Sequence, residues 1–404
     1  VRRILRSEFA AGLVDNPVQK SVVDIEGGLE TSRRIAEHSI VLLKNSNSIL
    51  PLDRTKVRSI AIIGEHADTS MISGGGSAQV DPPGQPPAKW QSHVWFPTSP
   101  MKALQAKAPD ASVQFDSGAD TQKAAALAKQ SDVAVVFVTQ WESEGMDLLN
   151  LSLPNNQDAL IAAVAEANPR TVVVLETGTA VTMPWIDRVP GVLEAWYAGS
   201  NGADAVANIL FGDVNPDAKL PMTFPRSEAD LPHPQLVTPP PNAKGADPVA
   251  GKILTKPTFD VKYDEALQVG YKWYDQQNKP VLFPFGHGLS YTTYSYSDLK
   301  VNGGAQPSVS FTLTNTGQRA GAEIAEVYAA LPANTGEPPK RLVGWSKVSL
   351  KPGESRQVSL NIDPKYLSVF DEQQDSWKLP NGEFTIFVGA SSRDLPLKQT
   401  LQLP

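Results

Sequence analysis

Between about residues 28 and 225, apolar runs alternate with helical segments, and this alternation constrains the fold more than any other feature. The runs typical of buried strands are residues 57–67, 132–140, 170–178 and 190–199. The segments with helical periodicity are residues 29–45, 121–131, 155–168 and 201–213. Strands separated by helices of this length predict βαβ units. We therefore expect an α/β domain with a mostly parallel sheet.

The rest of the chain shows two other sequence patterns. Residues 226–296 are first rich in proline and then in aromatics, which predicts a connector packed on the domains. From residue 297 to residue 404, period-two runs are punctuated by turn residues at intervals of roughly ten residues, which favours a β-sandwich. The expected division is an N-terminal segment 1–27, an α/β domain 28–225, the connector, and the β-sandwich.

Composition excludes several classes of function. The net charge of −7 argues against a nucleic-acid partner. The chain has no cysteine, so disulfides, thiolate catalysis and cysteine-ligated zinc are excluded. The five histidines are scattered without the spacing of metal ligands. No apolar run approaches the ~18 residues of a membrane span. We expect no metal, no cofactor and no membrane contact.

The stretch "WESEGMDLLNLSLP", residues 141–154, follows the apolar run 132–140. It places Glu142 and Glu144 on a glycine-containing turn at the C-terminal end of a predicted parallel strand, where open α/β sheets bind ligands. These carboxylates are either solvated loop charges or include a catalytic acid. Asp147 is expected to orient the turn by bonding backbone N–H groups.

Motifs along the whole chain resemble the C-terminal portion of glycoside hydrolase family three, the β-glucosidase and β-xylosidase family. The resembling segments are residues 39–52, 60–68, 73–80, 141–161, 215–225, 269–275 and 283–294. The resemblance implies an α/β sandwich followed by a fibronectin-III-like domain. It also implies that residues 1–27 leave a (β/α)8 barrel, which carries the nucleophilic aspartate and is absent from this chain.

The resemblance assigns site residues as well. An ungapped match to Glu-Gly-x-Asp makes Glu144 the acid/base, whereas a minority Glu-x-x-Gly pattern selects Glu142. Independently of the resemblance, the Trp141 ring could stack on a sugar or equally pack between the loop and the domain body. The resemblance also implies that the loop residues Ser73, Gly74, Gly75 and Gly76 lie near the substrate. That loop, in "SGGGSAQV", lacks the lysine of a P-loop and is otherwise a plain flexible turn.

Three further basic residues are given structural roles. His38 and Lys44 fall within the predicted helix 29–45, and the resemblance makes Lys44 part of a structural signature. His287 lies between two glycines in "FPFGHGLSY". We expect packing at a domain junction there, by Phe283, Phe285 and Tyr291, and no catalysis by His287.

The sequence thus predicts the C-terminal part of a retaining, exo-acting β-glycosidase, with β-glucosidase the first choice. The alternative is a non-catalytic sugar-binding or scaffolding module. The expected partners are a β-linked oligosaccharide or aryl glycoside and the barrel domain of the same gene product, which could be a separate chain. A homo-oligomer is possible. The lack of cysteine and the family's habit of acting outside the cytoplasm imply a periplasmic or secreted protein.

Overall fold

A computed structural model describes residues 1–82, 94–96, 99–146, 148–235, 260–304 and 306–403. Asp147 and residues 236–259 of the predicted connector lie outside these ranges. In the described ranges, no helix is both long and apolar enough to cross a membrane.

All the α-helices of the described part lie before residue 277. The helices are α1 Arg2–Ala10, α2 Ile25–Glu37, α3 Pro100–Lys107, α4 Thr121–Lys129, α5 Gln157–Ala167, α6 Gly202–Leu210 and α7 Tyr271–Gln276. The strands are β1 Val41–Asn45, β2 Ser59–Ile63, β3 Ser70–Ser73, β4 Val94–Phe96, β5 Ser112–Asp116, β6 Val133–Gln140, β7 Thr171–Thr177, β8 Gly191–Glu194, β9 Phe224–Pro225 and β10 Val281–Phe283.

Six of these strands form one sheet in the order β1-β8-β7-β6-β2-β5. All neighbours are parallel except β1, which runs antiparallel to β8. The predicted mostly parallel sheet is therefore confirmed. Strand β6 lies inside the sheet, between β7 and β2, so its C-terminal end is central along the sheet edge.

The position of β6 inside the sheet explains why its sequence begins with an unbroken apolar run. Its odd-numbered residues from Val133 to Phe137 face one hydrophobic core, which includes residues of α2, α3 and α6. Its even-numbered residues from Ala134 to Val138 face a second core, built with residues of α4 and α5. A strand covered by helices on both faces needs apolar residues at every position rather than at alternate ones.

The prediction of one helix over 29–45 is wrong beyond its first part. Helix α2 begins after Asp24, whose carboxylate caps the Gly27 amide, and it ends at Glu37. Lys44 therefore lies on strand β1 rather than on a helix, and its ammonium donates to the Ile186 carbonyl. His38 is the C-cap residue of α2. The apolar residues that follow are buried on all sides, so sheet packing overrides the helical pattern of the sequence.

The C-terminal part is a β-sandwich, as predicted. Its strands are β11 Tyr294–Asn302, β12 Ser308–Asn315, β13 Gly321–Ala330, β14 Arg341–Leu350, β15 Ser355–Asn361, β16 Val369–Asp371, β17 Ser376–Lys378, β18 Gly382–Gly389 and β19 Leu397–Leu403. The antiparallel sheets β11-β12-β15 and β14-β13-β18-β19 enclose one core. The sequence pattern missed β11, β19 and the β16–β17 hairpin.

The aromatic segment before the sandwich packs where the two parts of the chain meet. Phe283 is buried and stacks on His287 with ring centroids 4.9 Å apart. Phe285 lies 4.9 Å from Tyr271, and Tyr291 donates its hydroxyl to the Ile209 carbonyl. The expected packing role of this segment is confirmed.

His287 itself is held by this junction. Its Nε2 lies 2.8 Å from the Leu43 carbonyl oxygen, and burial lowers the pKa of the imidazole. A neutral imidazole engaged with a backbone carbonyl is a structural element of the junction, as the sequence indicated.

Candidate functional site

The predicted site residues come together on two loops at the C-terminal edge of the parallel sheet. One loop follows β6 and carries Glu142 and Glu144, and the other follows β3 and carries the three glycines. The Gly75 amide donates to the Glu142 carbonyl at 2.9 Å, and the Glu144 amide donates to the Gly75 carbonyl at 3.4 Å. The two loops therefore form a short parallel bridge between Gly75 and Ser143.

Only glycine permits this close approach of the two loops. A Cβ atom at Gly75 would stand 2.5 Å from both the Ser143 hydroxyl oxygen and a ring carbon of Trp141. Gly76 adopts a φ of +76°, and a Cβ there would collide with the Cβ of Glu144. The glycine run thus serves to bring the backbone up against the carboxylate turn.

Glu144 is exposed at the surface of this assembly. Its Oε2 accepts hydrogen bonds from the Ser77 hydroxyl at 2.6 Å and from the Ser77 amide at 2.8 Å. These two donors, the hydroxyl first, lower the pKa of the Glu144 carboxyl because they stabilise its ionised form. Ser77 was not singled out from the sequence, although it lies within the quoted glycine-rich loop.

Glu142 points the other way, toward the body of the domain. It is half-buried, and a Cβ at Gly178 would stand 2.8 Å from its Oε2. Its Oε1 is buried without a hydrogen-bond partner among the described residues. Burial raises the pKa of this carboxyl. The two glutamates therefore differ in the direction of the side chain and in the direction of the pKa shift.

Tyr197 ties the base of the Glu142–Glu144 turn to the domain, and the sequence reasoning did not identify it. Its hydroxyl donates to the Gln140 carbonyl at 2.6 Å and accepts from the Glu142 amide at 2.9 Å. The available signal was its position just beyond strand β8, since the ends of parallel strands meet at one sheet edge.

The two other predicted contact residues are less accessible. The Trp141 ring lies against Gly75, so it packs between the two loops in this chain. Ser73 is buried, and its hydroxyl accepts from the Val80 amide at 3.3 Å. Both remain predictions as substrate contacts.

Two further carboxyl groups lie buried at the same sheet edge. Glu176 on β7 and Glu194 on β8 are 6% and 0% exposed. Burial raises the pKa of Glu176 to about 8 and that of Glu194 well above its usual value. With a pKa of about 8, the Glu176 side chain is mostly protonated at neutral pH.

The surface between the loops is an open pocket with a volume of about 660 Å³. Glu142, Glu144, Met146, Gly178 and Tyr197 contribute to its wall. This volume falls in the range of small-molecule sites. Among the described residues, no cluster of three or more histidines or carboxylates could hold a metal ion. The pocket can offer a substrate one exposed carboxylate, which is half of what a two-carboxylate hydrolysis requires.

Comparison with known families agrees with this geometry. The model of the glycosyl hydrolase family 3 C-terminal domain matches residues 40–291. The chain belongs to glycoside hydrolase family 3. A fibronectin type III-like domain matches residues 323–392, which places that domain in the β-sandwich. The resemblance read from the motifs is thereby confirmed.

The curated relatives are glycosidases. The thermostable β-glucosidase B of Acetivibrio thermocellus is 36% identical over 424 residues, covering 100% of this chain and 52% of that protein. β-Glucosidase B of Emericella nidulans is 41% identical over 69% of this chain and 33% of its own length. An exo-α-(1→6)-L-arabinopyranosidase of Bifidobacterium breve is 34% identical, with 94% and 49% covered. The chain spans about half the length of these relatives, or less.

Solved structures share the same fold over nearly the whole chain. A β-glucosidase from Streptomyces venezuelae, solved in complex with D-glucose, has a TM-score of 0.85 at 29% identity, covering 99% of this chain and 63% of that one. β-Glucosidase 3B from Thermotoga neapolitana, solved with α-D-glucose, has a TM-score of 0.79 at 28% identity, covering 94% and 54%.

Proposed function

We propose that this chain is the C-terminal part of a retaining, exo-acting β-glycosidase, and that it supplies the general acid/base. Substrates would be terminal β-linked sugars, with β-glucosides first because several relatives are named β-glucosidases. The nucleophilic aspartate would come from a (β/α)8 barrel domain of the same gene product. Because the Bifidobacterium breve relative is named an arabinopyranosidase, the identity of the preferred sugar has to be measured.

The exposed carboxyl of Glu144 carries this proposal. Retaining hydrolysis needs two carboxyl groups ~5–5.5 Å apart, so an acid that serves a nucleophile on another domain must project outward. Glu144 lies on a turn at the sheet edge and is exposed, whereas the Glu142 carboxyl is turned against Gly178. Position therefore favours Glu144, in agreement with the ungapped motif.

The pKa directions favour the opposite assignment when this chain is considered alone. Burial raises the pKa of Glu142, and the Ser77 donors lower that of Glu144. An acid catalyst must hold its proton at the working pH. A nucleophilic carboxylate placed beside Glu144 would raise its pKa by charge repulsion, as in other carboxylate pairs. We therefore give the outward position of Glu144 more weight than the pKa directions of the two glutamates in this chain alone.

The apolar surface of the N-terminal segment also supports a partner domain. No residue of α1 is buried: Ile4 and Phe9 are 64% and 59% exposed, and the N-cap residue Val1 is 92% exposed. Several large apolar side chains exposed on one short helix are typical of an interaction surface. Packing of a barrel against α1 would cover it.

The test compares Glu144→Ala with Glu142→Ala in the enzyme that contains both domains. Loss of the acid/base should reduce kcat/KM for substrates with poor leaving groups by roughly 10²–10⁴-fold, and far less for activated aryl glycosides. Added azide should rescue Glu144→Ala by forming a glycosyl azide without base assistance. If Glu142→Ala shows both effects instead, Glu142 is the acid/base.

A second measurement addresses the missing half of the site. The purified 404-residue chain should not hydrolyse p-nitrophenyl glucoside, since one carboxylate cannot form the glycosyl-enzyme. Turnover by this chain alone would refute the division of the site between two domains. Inactivity of the two-domain protein toward all glycosides would favour the sugar-binding or scaffolding alternative. Export to the periplasm or medium is part of the proposal, and cell fractionation tests it.

A further inference from the structure

Trp196 has a backbone conformation that its side chain makes costly. Its φ is +56°, in the left-handed region that glycine and asparagine adopt more readily. A bulky residue in this region is a genuine outlier, and such strain persists only where surrounding contacts enforce it. Trp196 lies just beyond strand β8, at the sheet edge that carries the carboxylate turn.

Two contacts enforce the conformation. The Trp196 amide donates to Oε1 of the buried Glu194 at 2.9 Å, and the indole nitrogen donates to the Ser39 carbonyl at 3.1 Å. Glu194 is fixed in turn, because its Oε2 lies 3.1 Å from the Thr177 hydroxyl. The support therefore reaches from the strands β7 and β8 into the backbone of residue 196.

The strained residue aims Tyr197 at the carboxylate turn. The Tyr197 hydroxyl contacts the backbone on both sides of Trp141, at the Gln140 carbonyl and the Glu142 amide. Its ring also lies against Gly74, since a Cβ there would stand 3.3 Å from a ring carbon. Tyr197 thus touches both loops of the site. Burial raises the pKa of its hydroxyl, so the proton that it donates to Gln140 is retained.

We propose that Tyr197, aimed by the strained Trp196 and the buried Glu194, is a positioning residue for the acid/base Glu144. The inference rests on the proposed function of Glu144 and adds a supporting residue that does not itself touch substrate. The Gly75–Ser143 bridge couples the two loops, so loss of the Tyr197 contacts displaces the turn as a unit. A displacement of about 1 Å from productive geometry can cost about 10²-fold in rate.

Tyr197→Phe is the test, because it removes only the hydroxyl. Tyr271→Phe is a matched control, since that hydroxyl also accepts from a backbone amide, at 2.8 Å from the Leu342 nitrogen, but at the junction with the sandwich. In the two-domain enzyme, Tyr197→Phe should lower kcat/KM for substrates with poor leaving groups roughly tenfold or more. Activated aryl glycosides should be affected much less, and Tyr271→Phe should affect neither.

Amide hydrogen exchange supplies a readout that does not depend on catalysis. In Tyr197→Phe, a peptide covering residues 141–146 should exchange roughly five- to tenfold faster, since the Glu142 amide loses its acceptor. Peptides within β6 should be unchanged. If Tyr197→Phe does not fold, Trp196→Phe removes the indole donor to Ser39 and should show the same two effects, more weakly.

The outcomes separate this inference from the proposed function. Equal loss of kcat/KM on both substrate classes, or unchanged exchange at residues 141–146, overturns the positioning role of Tyr197. If Glu144→Ala shows the leaving-group effect and Tyr197→Phe does not, only the positioning role is overturned. If Glu144→Ala itself shows no leaving-group effect, the proposed function fails, whatever exchange in Tyr197→Phe shows.

Discussion

Replacing Glu176 by Gln should stabilise the protein, and by more at neutral pH than in acid. Glu176 is buried on strand β7, and its Oε2 has no hydrogen-bond partner among the described residues. Burial raises the pKa of this carboxyl from 4.5 to about 8. The folded protein must therefore hold Glu176 protonated at a pH where the unfolded chain ionises it.

The sign and size of the change in the free energy of unfolding follow from proton linkage. Between the unfolded pKa of 4.5 and the folded pKa of about 8, the folded state binds the additional proton, so stability falls as pH rises. At pH 7 the cost is (7 − 4.5) units at ~1.36 kcal/mol each, or about 3 kcal/mol. Glutamine has nearly the shape of the protonated acid and does not ionise. Glu176→Gln should therefore gain about 3 kcal/mol at pH 7 and well under 1 kcal/mol at pH 4.5.

Urea denaturation at several pH values between 4.5 and 8 measures this difference. The exposed Glu166→Gln on α5 removes the same charge from the surface and should leave the pH dependence unchanged. Parallel stability curves for wild type and Glu176→Gln would refute the reasoning. If Glu166→Gln raises the free energy of unfolding by the same amount, the effect comes from the change in net charge instead.

Two other predictions concern Glu144 and the N-terminal helix. Ser77→Ala removes the hydroxyl that most lowers the pKa of Glu144, so in the two-domain enzyme the alkaline limb of the kcat/KM profile should move to higher pH. Ser131→Ala is the control. If the alkaline limb stays in place in Ser77→Ala, the Ser77 hydroxyl does not lower the pKa of Glu144. The amides of Arg2–Ala10 should exchange fast in the purified 404-residue chain, because an isolated helix of this length is marginal in water. Strong protection in a proven monomer would contradict this expectation.

The sequence by itself determined the layers of the fold. The run from Val133 to Val138 is apolar at every position, as a strand covered on both faces requires. The alternation with helices then requires parallel neighbours, and the period-two runs after residue 297 require a sandwich with one face buried in each sheet. These are properties of local pattern, and they were predicted correctly.

Local pattern failed where tertiary contacts chose between alternatives. Residues 29–45 carry helical periodicity throughout, yet the chain changes to strand β1 because β8 offers an unpaired edge. Strand β5 alternates exposed and half-buried residues before its buried end, so its apolar signal is weak. The sequence cannot state which strand edge is open, since that depends on contacts distant along the chain.

For the candidate site as well, one part was predicted from the sequence and another was decided by tertiary contacts. The sequence placed Glu142 and Glu144 on one turn at the C-terminal end of a buried parallel strand, and the fold puts them there. The tertiary structure decided that Glu142 faces inward against Gly178 and that Glu144 faces outward beside Ser77. It also brought Tyr197 to the turn from 55 residues away in the chain. Side-chain direction and burial set the protonation of a carboxyl, and both arise only when separate segments pack together.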